Sequence, residues 1–367
     1  MNKNYKLKKM KKLLLILGFV LPIVISCKKQ GCTDPEAINY NEHAQKDDGS
    51  CDYEEFENSL PLSITNDLTL TNDKIWVLVG RTTVSNGATL TIEPGTIIKG
   101  NSGTGANATC LLIARGAKIN AQGTSQQPII FTSIADNIQI GENNGTSLSE
   151  VTNGLWGGLI ICGNAPISAD ANAVQIEGIP ASDQNGLYGG FNELDNSGIL
   201  NYVSIRHSGA NIGEGNEING LTLGGVGSGT IINNIEIVGN QDDGIECFGG
   251  AVNVSNLLVW AVGDDCVDID QSYCGTINNV LIIPGITTDH VMEIDGGEGQ
   301  WTTPFNLTNC EVISDLAQAH FRASAEGFIS YYGNVNIEVD LGTNVTTEQL
   351  TNGLDQSLFN WTYWYNR

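Results

Sequence analysis

The chain has 367 residues, which at roughly 150 residues per domain allows one large domain and a small module. It carries 17 Lys and Arg against 41 Asp and Glu, a formal net charge of -24. That excludes a nucleic-acid binder working by phosphate neutralisation and unaided binding of polyanions or anionic lipid. Hydrophobic residues are 41%, too many for a disordered acidic chain, and the 44 glycines with only 3 methionines favour a turn-rich β protein over a helical one.

The first 12 residues are basic, and Leu13 to Ser26 is a 14-residue apolar stretch. It is shorter than the ~20 residues a helix needs to span a bilayer. The stretch ends in Val24-Ile25-Ser26-Cys27. This resembles the bacterial lipobox, where a signal peptidase cuts before a Cys that becomes diacylated. The resemblance implies a signal peptide over 1–26, Cys27 as the lipidated mature N-terminus, and an outer-membrane address. Cleavage removes six lysines and no acid, which leaves the mature chain at -30. Cys27-Lys28-Lys29-Gln30 lacks an acidic run after the Cys, which favours the periplasmic over the surface face. Export implies an oxidising compartment. Cys32 and Cys51 bracket a short loop and are expected to pair. Cys110, Cys162, Cys247, Cys266, Cys274 and Cys310 are left as disulfide partners or as buried small apolar side chains.

Residues 27–58 form a tether and a Cys-bracketed module. Within it, Gly31-Cys32-Thr33-Asp34-Pro35 is followed by Asn39-Tyr40-Asn41 and Asp47-Asp48-Gly49-Ser50-Cys51. This resembles a small module common in exported Bacteroidetes proteins. Asp34, Asn39, Asn41, Asp47 and Asp48 supply hard oxygens in a tight loop, a composition that suits Ca²⁺. A disulfide-pinned polar loop without metal fits the same residues.

From residue 59 short β-rich runs alternate with Gly, Asn and Asp turns, as in Thr89-Leu90-Thr91-Ile92 and Ile129-Ile130-Phe131-Thr132. The lack of amphipathic helices between them excludes a doubly wound α/β fold. An Asn followed by an apolar strand recurs at Asn201, Asn234, Asn256, Asn279 and Asn309, in steps of 33, 22, 23 and 30 residues. Twenty-two residues are too few for a sandwich module but fit one solenoid coil, whose inner face is buried only by stacking. The repeated Asn is expected to form an amide ladder. Residues 59–345 are therefore expected to be all-β, a right-handed, single-stranded parallel β-helix. Residues 346–367 are expected to cap it, with a short helix over 347–359 and with Trp361, Tyr363, Trp364 and Tyr365 over the last open coil.

This pattern resembles the parallel β-helix superfamily of pectate lyases and polygalacturonases. Over 85–300 it is similar to exported Bacteroidetes β-helix lipoproteins, on Glu217 to Gly227, Asp242-Asp243-Gly244-Ile245-Glu246 and Glu293-Ile294-Asp295-Gly296-Gly297.

Residues 240–300 hold 11 acids and no Lys or Arg. Counted from each coil's Asn, Asp243, Asp265 and Asp289 fall at nearly matching offsets, with Glu246, Asp268 and Glu293 a few residues beyond. Coils stack about 4.8 Å apart, so these six are expected to align along one edge. Their repulsion calls for bridging by a cation, most directly Ca²⁺, or for shared protons; a splayed, solvated edge is the plain alternative.

The same region also resembles the central motifs of polygalacturonases, in Asn240 to Glu246 and in Gly263-Asp264-Asp265-Cys266. That resemblance implies Asp243, Asp264 and Asp265 as the acids of an inverting hydrolysis. The downstream counterparts are only Thr288-Asp289-His290 and Phe321-Arg322-Ala323, with no Lys for a substrate carboxylate. A lyase would need Arg206-His207 as its basic pair. The sequence therefore reads as a membrane-anchored, Ca-dependent binding or structural β-helix with glycan as the ligand class, and a polysaccharide hydrolase as the alternative.

Overall fold

The computed structural model describes residues 29–33, 37, 39–51, 56–103, 105, 108–212, 218–294, 306–313, 330–332, 340–341 and 354–366. Residues 1–28, Asp34, Asp295 and the expected cap helix before residue 354 lie outside that set. The chain divides into two compact units, Met1–Glu55 and Phe56–Arg367. In the first, Cys32 and Cys51 form a disulfide with Cα atoms 4.7 Å apart, and Gln30 and Lys46 make a parallel bridge.

The second unit begins slightly before the expected residue 59. Asn58 O accepts Val77 N at 3.0 Å, and Ser59 bridges to Val77. It is a parallel β-helix of a nine-stranded and a twelve-stranded sheet, both parallel throughout. One coil runs through Asn253–Trp260, turns into Val267–Asp270 on the other sheet, and returns as Thr276–Ile283. Stacking places each inward aliphatic on its equivalent in the next coil. One such column is Leu70, Ile92, Ala121, Leu200, Ile232, Val254 and Ile277. Another is Leu111, Leu159, Leu221, Ile245, Val267 and Met292. All of these are buried in one core. Burying a Leu or Ile side chain contributes roughly 1.5–3 kcal/mol, so the columns supply the main stabilising term.

The twelve-stranded sheet changes character along the axis. Lys118–Gln122 and Ile129–Ser133 are separate strands, but both pair with the single strand Gly198–Arg206. The loop 123–128 is replaced there by one residue, Tyr202, with φ 51°. Later coils bend at the same place through Asn234, Asn256 and Asn279, at φ 53°, 57° and 58°. Asn tolerates this left-handed backbone better than other non-glycine residues. Its amide then binds the coil before: Asn234 Nδ2 to Asn201 Oδ1 at 2.8 Å, Asn256 Nδ2 to Asn234 Oδ1 at 2.9 Å, and Asn279 Nδ2 to Asn256 Oδ1 at 2.9 Å. The amide ladder is therefore present, with one shift. Asn201 pairs in register with Asn233, not Asn234, so the first step is one residue shorter than the Asn spacing suggests.

The C-terminal aromatics do not cover the last coil. Residues 354–366 pack along the outside of the twelve-stranded sheet, on its middle coils. Phe359 is buried with Val238, Leu258, Trp260 and Leu281. Trp361 meets Tyr202 edge-on at 5.4 Å, and Tyr363 lies 5.7 Å from Trp260 and 4.9 Å from the Arg206 guanidinium. Trp364 N donates to Glu236 Oε1 at 3.1 Å. The outward residues Val238, Leu258, Trp260 and Leu281 are apolar, so the flank gives the tail surface to bury. The only described helical segment in it is the short 3-10 turn Gln356–Phe359.

The ladder makes a separable prediction. Asn256→Gly keeps the left-handed backbone but loses the amide bonds, at about 1 kcal/mol each. Asn256→Ala adds roughly 1–2 kcal/mol of backbone strain. Urea denaturation is expected to rank the proteins wild type, Gly, then Ala.

Candidate functional site

The acidic residues of 240–293 come from the turns entering the nine-stranded sheet and from its outward positions. Ile245 and Cys247 point into the core, so Glu246 between them points out. Pairing sets Thr222, Glu246, Asp268 and Glu293 in one row across successive coils. Expected neighbours Glu246, Asp268 and Glu293 are thus brought together.

The turn residues form a second column, and here the structure corrects the sequence alignment. Asp265 N donates to Asp243 Oδ1 at 2.9 Å, and His290 N donates to Asp265 Oδ1 at 2.8 Å. The column is therefore Asp243, Asp265, His290. Asp289 lies one residue earlier, on the line of Asp242 and Asp264, where Asp289 N donates to Asp264 O at 3.1 Å. The cause is two extra residues in the turn after Asn279. Glu293 already shows that shift relative to Asp268, and carrying it to the turn position selects His290. The shift itself is visible in the sequence; which side of the turn position absorbs it is not.

His290 is also the missing base, since its Nδ1 lies 2.8 Å from Asp265 Oδ1. Three groups have ligand atoms within 4.8 Å of one another: Asp265 with His290 and Glu293, Asp243 with Glu246 and Asp268, and Asp242 with Asp243 and Asp264. Asp243, Glu246 and Asp265 are buried, whereas Asp264 and Asp289 are exposed. Asn219 is 2% exposed and donates Nδ2 to Glu246, while its Oδ1 has no hydrogen-bond partner among the described residues.

Crowding sets the electrostatics. Burial, then the Asp268 and Asp242 carboxylates, raises the Asp243 pKa well above its ordinary value. Burial followed by Asp243 and Asp268 does the same to Glu246. Burial and a hydrogen bond with Glu293 push Asp265 up to about 9. Asp264 is raised by burial and then by Asp289.

Other expected residues are committed elsewhere. Arg206 is buried on the opposite sheet, with Nη2 3.5 Å from Glu236 Oε2 and Nε donating to Ser204 Oγ at 2.7 Å. His207 Nδ1 lies 2.8 Å from Thr152 O, and burial lowers its pKa. That removes the basic pair a lyase would need. In the N-terminal module Asp47 Oδ1 accepts Gly49 N at 2.9 Å and Asp48 Oδ1 accepts Ser50 N at 3.0 Å, while Asn39 Nδ2 donates to Ser50 O and Asn41 Oδ1 accepts His43 N at 3.1 Å. These are turn-forming roles. Of the remaining cysteines, Cys110, Cys162, Cys247 and Cys266 are buried thiols, and burial pushes Cys110 and Cys162 up to about 12. They serve as small apolar side chains.

A family profile described as a pectate-lyase-like beta helix domain matches residues 62–356. The chain belongs to this family. No curated protein and no solved structure matches it significantly. Membership in the pectate-lyase-like family accords with a polysaccharide-related role, in binding or in hydrolysis.

The raised carboxyls fix a pH dependence. Asp243, Glu246 and Asp265 take up protons on folding, because their folded pKa values exceed the unfolded ones near 4. The stability they contribute is complete below that value and is lost as pH rises toward the folded pKa, about 9 for Asp265. Asp73 and Asp355 are lowered, so they act only below pH ~4. His207, with its lowered pKa, acts the other way below the unfolded histidine value near 6.5, so with chelator present the melting temperature is expected to rise as pH falls from 8 to about 6.5, and Asp265→Asn to flatten part of that rise. A melting temperature that falls over this range contradicts the assignment.

Proposed function

We propose that the protein is an outer-membrane lipoprotein, anchored through Cys27, whose β-helix binds glycan and is stabilised by Ca²⁺ held on the carboxylate columns. The observation that carries the metal reading is the Asp243, Glu246 and Asp268 group with the buried, unpartnered Asn219 Oδ1 beside it. Carboxylate and amide oxygens are the donors that Ca²⁺ takes, and a divalent cation would offset repulsion that no Lys or Arg in 240–300 relieves. The glycan reading rests on family membership and on the long stacked faces of a solenoid.

A hydrolase is the second reading, favoured by the Asp243, Asp265, His290 column with Asp264 exposed beside it. Asp265 holds its proton at neutral pH, as a general acid must. Against it, Asp265 is 1% exposed and Asp243 7%, so a glycosidic oxygen does not reach either in this conformation.

A cation that binds only the folded state stabilises it by about 2.7 kcal/mol at a hundred times its Kd. Calorimetry is expected to give a higher melting temperature in excess Ca²⁺ than in chelator. Asp268→Asn is expected to remove the difference, and Asp47→Asn in the disulfide loop to leave it. Equal melting temperatures would reject the metal. New reducing ends from a polysaccharide panel, abolished in Asp265→Asn, would replace the binding reading by the hydrolase.

The anchor is tested separately. Radiolabelled palmitate is expected to enter the wild type and not Cys27→Ala, which should leave the membrane fraction; labelling that persists would refute lipidation.

A further inference from the structure

Beside the carboxylate columns, the same sheet face carries a cavity of about 690 Å³. Ligand pockets commonly span roughly 300–1,000 Å³. One wall comes from the excursion between the strands Leu159–Cys162 and Gly198–Arg206, and the other from Phe248, Asp270 and Gln271. Two arginines of earlier coils hold the excursion. Arg81 Nη2 lies 3.1 Å from Asp183 Oδ2, and Arg115 Nη1 donates to Gly189 O at 2.9 Å. Neither lines the cavity.

The lining pairs apolar surface from Val174, Ile176 and Phe248 with the carboxylates Asp170, Glu177 and Asp270, and no Lys, Arg or His takes part. Gln271 is 7% exposed, and its Oε1 accepts the Tyr188 hydroxyl at 2.9 Å. No described residue takes a hydrogen bond from its Nε2, in a side chain that lines the cavity.

We infer that this cavity is the subsite for an amine-bearing sugar unit, which deepens the glycan-binding reading and rests on it. The carboxylates accept from the ammonium and from ring hydroxyls. The apolar wall covers the C–H face of the ring, and Gln271 Nε2 donates to a hydroxyl oxygen. A uronate meets three like charges and no base, so the subsite selects against acidic glycans.

Isothermal titration of the full chain tests this with a glucosamine trimer, an N-acetylglucosamine trimer, a galacturonic acid trimer and spermidine. The glucosamine trimer is expected to bind at least tenfold tighter than the other three, and added salt to weaken it. Asp270→Asn and Asp170→Asn are each expected to weaken it about tenfold, and Val174→Trp, a larger side chain at a half-buried lining position, to abolish it. Melting temperatures establish that each variant folds. Spermidine binding as tightly as the glucosamine trimer overturns the sugar assignment. Equal or tighter binding of the galacturonic acid trimer overturns the charge argument. Glucosamine affinity unchanged in all three variants places the ligand elsewhere. In these last two cases the glycan reading stands while the subsite falls; no heat from any of the three sugar trimers overturns both.

Discussion

In-register parallel stacking is the constraint from which the rest of this structure follows. Each coil lies about 4.8 Å from the next, and every side chain meets its own equivalent above and below. For aliphatic positions this is favourable, and columns such as Leu200, Ile232, Val254 and Ile277 form the core. For amides it is also favourable, because an amide both donates and accepts. Asn234, Asn256 and Asn279 can therefore each occupy a left-handed bend and bind the coil before. For carboxylates the same geometry costs energy, and burial followed by that crowding raises the pKa values of Asp243, Glu246 and Asp265.

The two sheets treat charge in opposite ways. On the twelve-stranded sheet the buried Arg206 and Glu236 form a satisfied pair, with Ser204, the Asn143 carbonyl and Trp364 N completing the hydrogen bonds. The C-terminal tail covers that pair and hides the flank. Breaking a buried pair leaves an uncompensated charge, so it acts as a fixed register point more than as a source of net stability. On the nine-stranded sheet the coils of 240–293 gather acids without Lys or Arg, and the excursion between Leu159–Cys162 and Gly198–Arg206 adds more. The cavity and the carboxylate columns thus share one acidic face, with Asp270 and Glu177 near enough to influence Glu246.

That asymmetry bears on function. Family membership places the chain among proteins of polysaccharide-related folds, but a cavity lined by Asp170, Glu177 and Asp270 with no Lys, Arg or His is unsuited to polyuronates. The residues that would make a lyase are spent on structure: Arg206 under the C-terminal tail and His207 on the Thr152 carbonyl. Among the described residues, the carboxylate columns offer acid–base chemistry through their carboxyls and the His290 imidazole.

The sequence by itself determined the solenoid, the disulfide of Cys32 with Cys51, the amide ladder and the Glu246, Asp268, Glu293 row. The solenoid, the ladder and the row rest on a period that survives projection onto one dimension, and the disulfide on two cysteines that bracket a short loop. It could not determine register where the turns change length. Asp289 and His290 are adjacent in sequence, and which of them stacks on Asp265 depends on how two extra residues are accommodated in a turn. The same holds for Asn201 against Asn233. Only the tertiary structure decided where the C-terminal aromatics go, because a tail has no period and docks wherever it buries most surface. It alone also assembled the cavity, whose walls at Asp170 and Asp270 are a hundred residues apart and are joined through the fold.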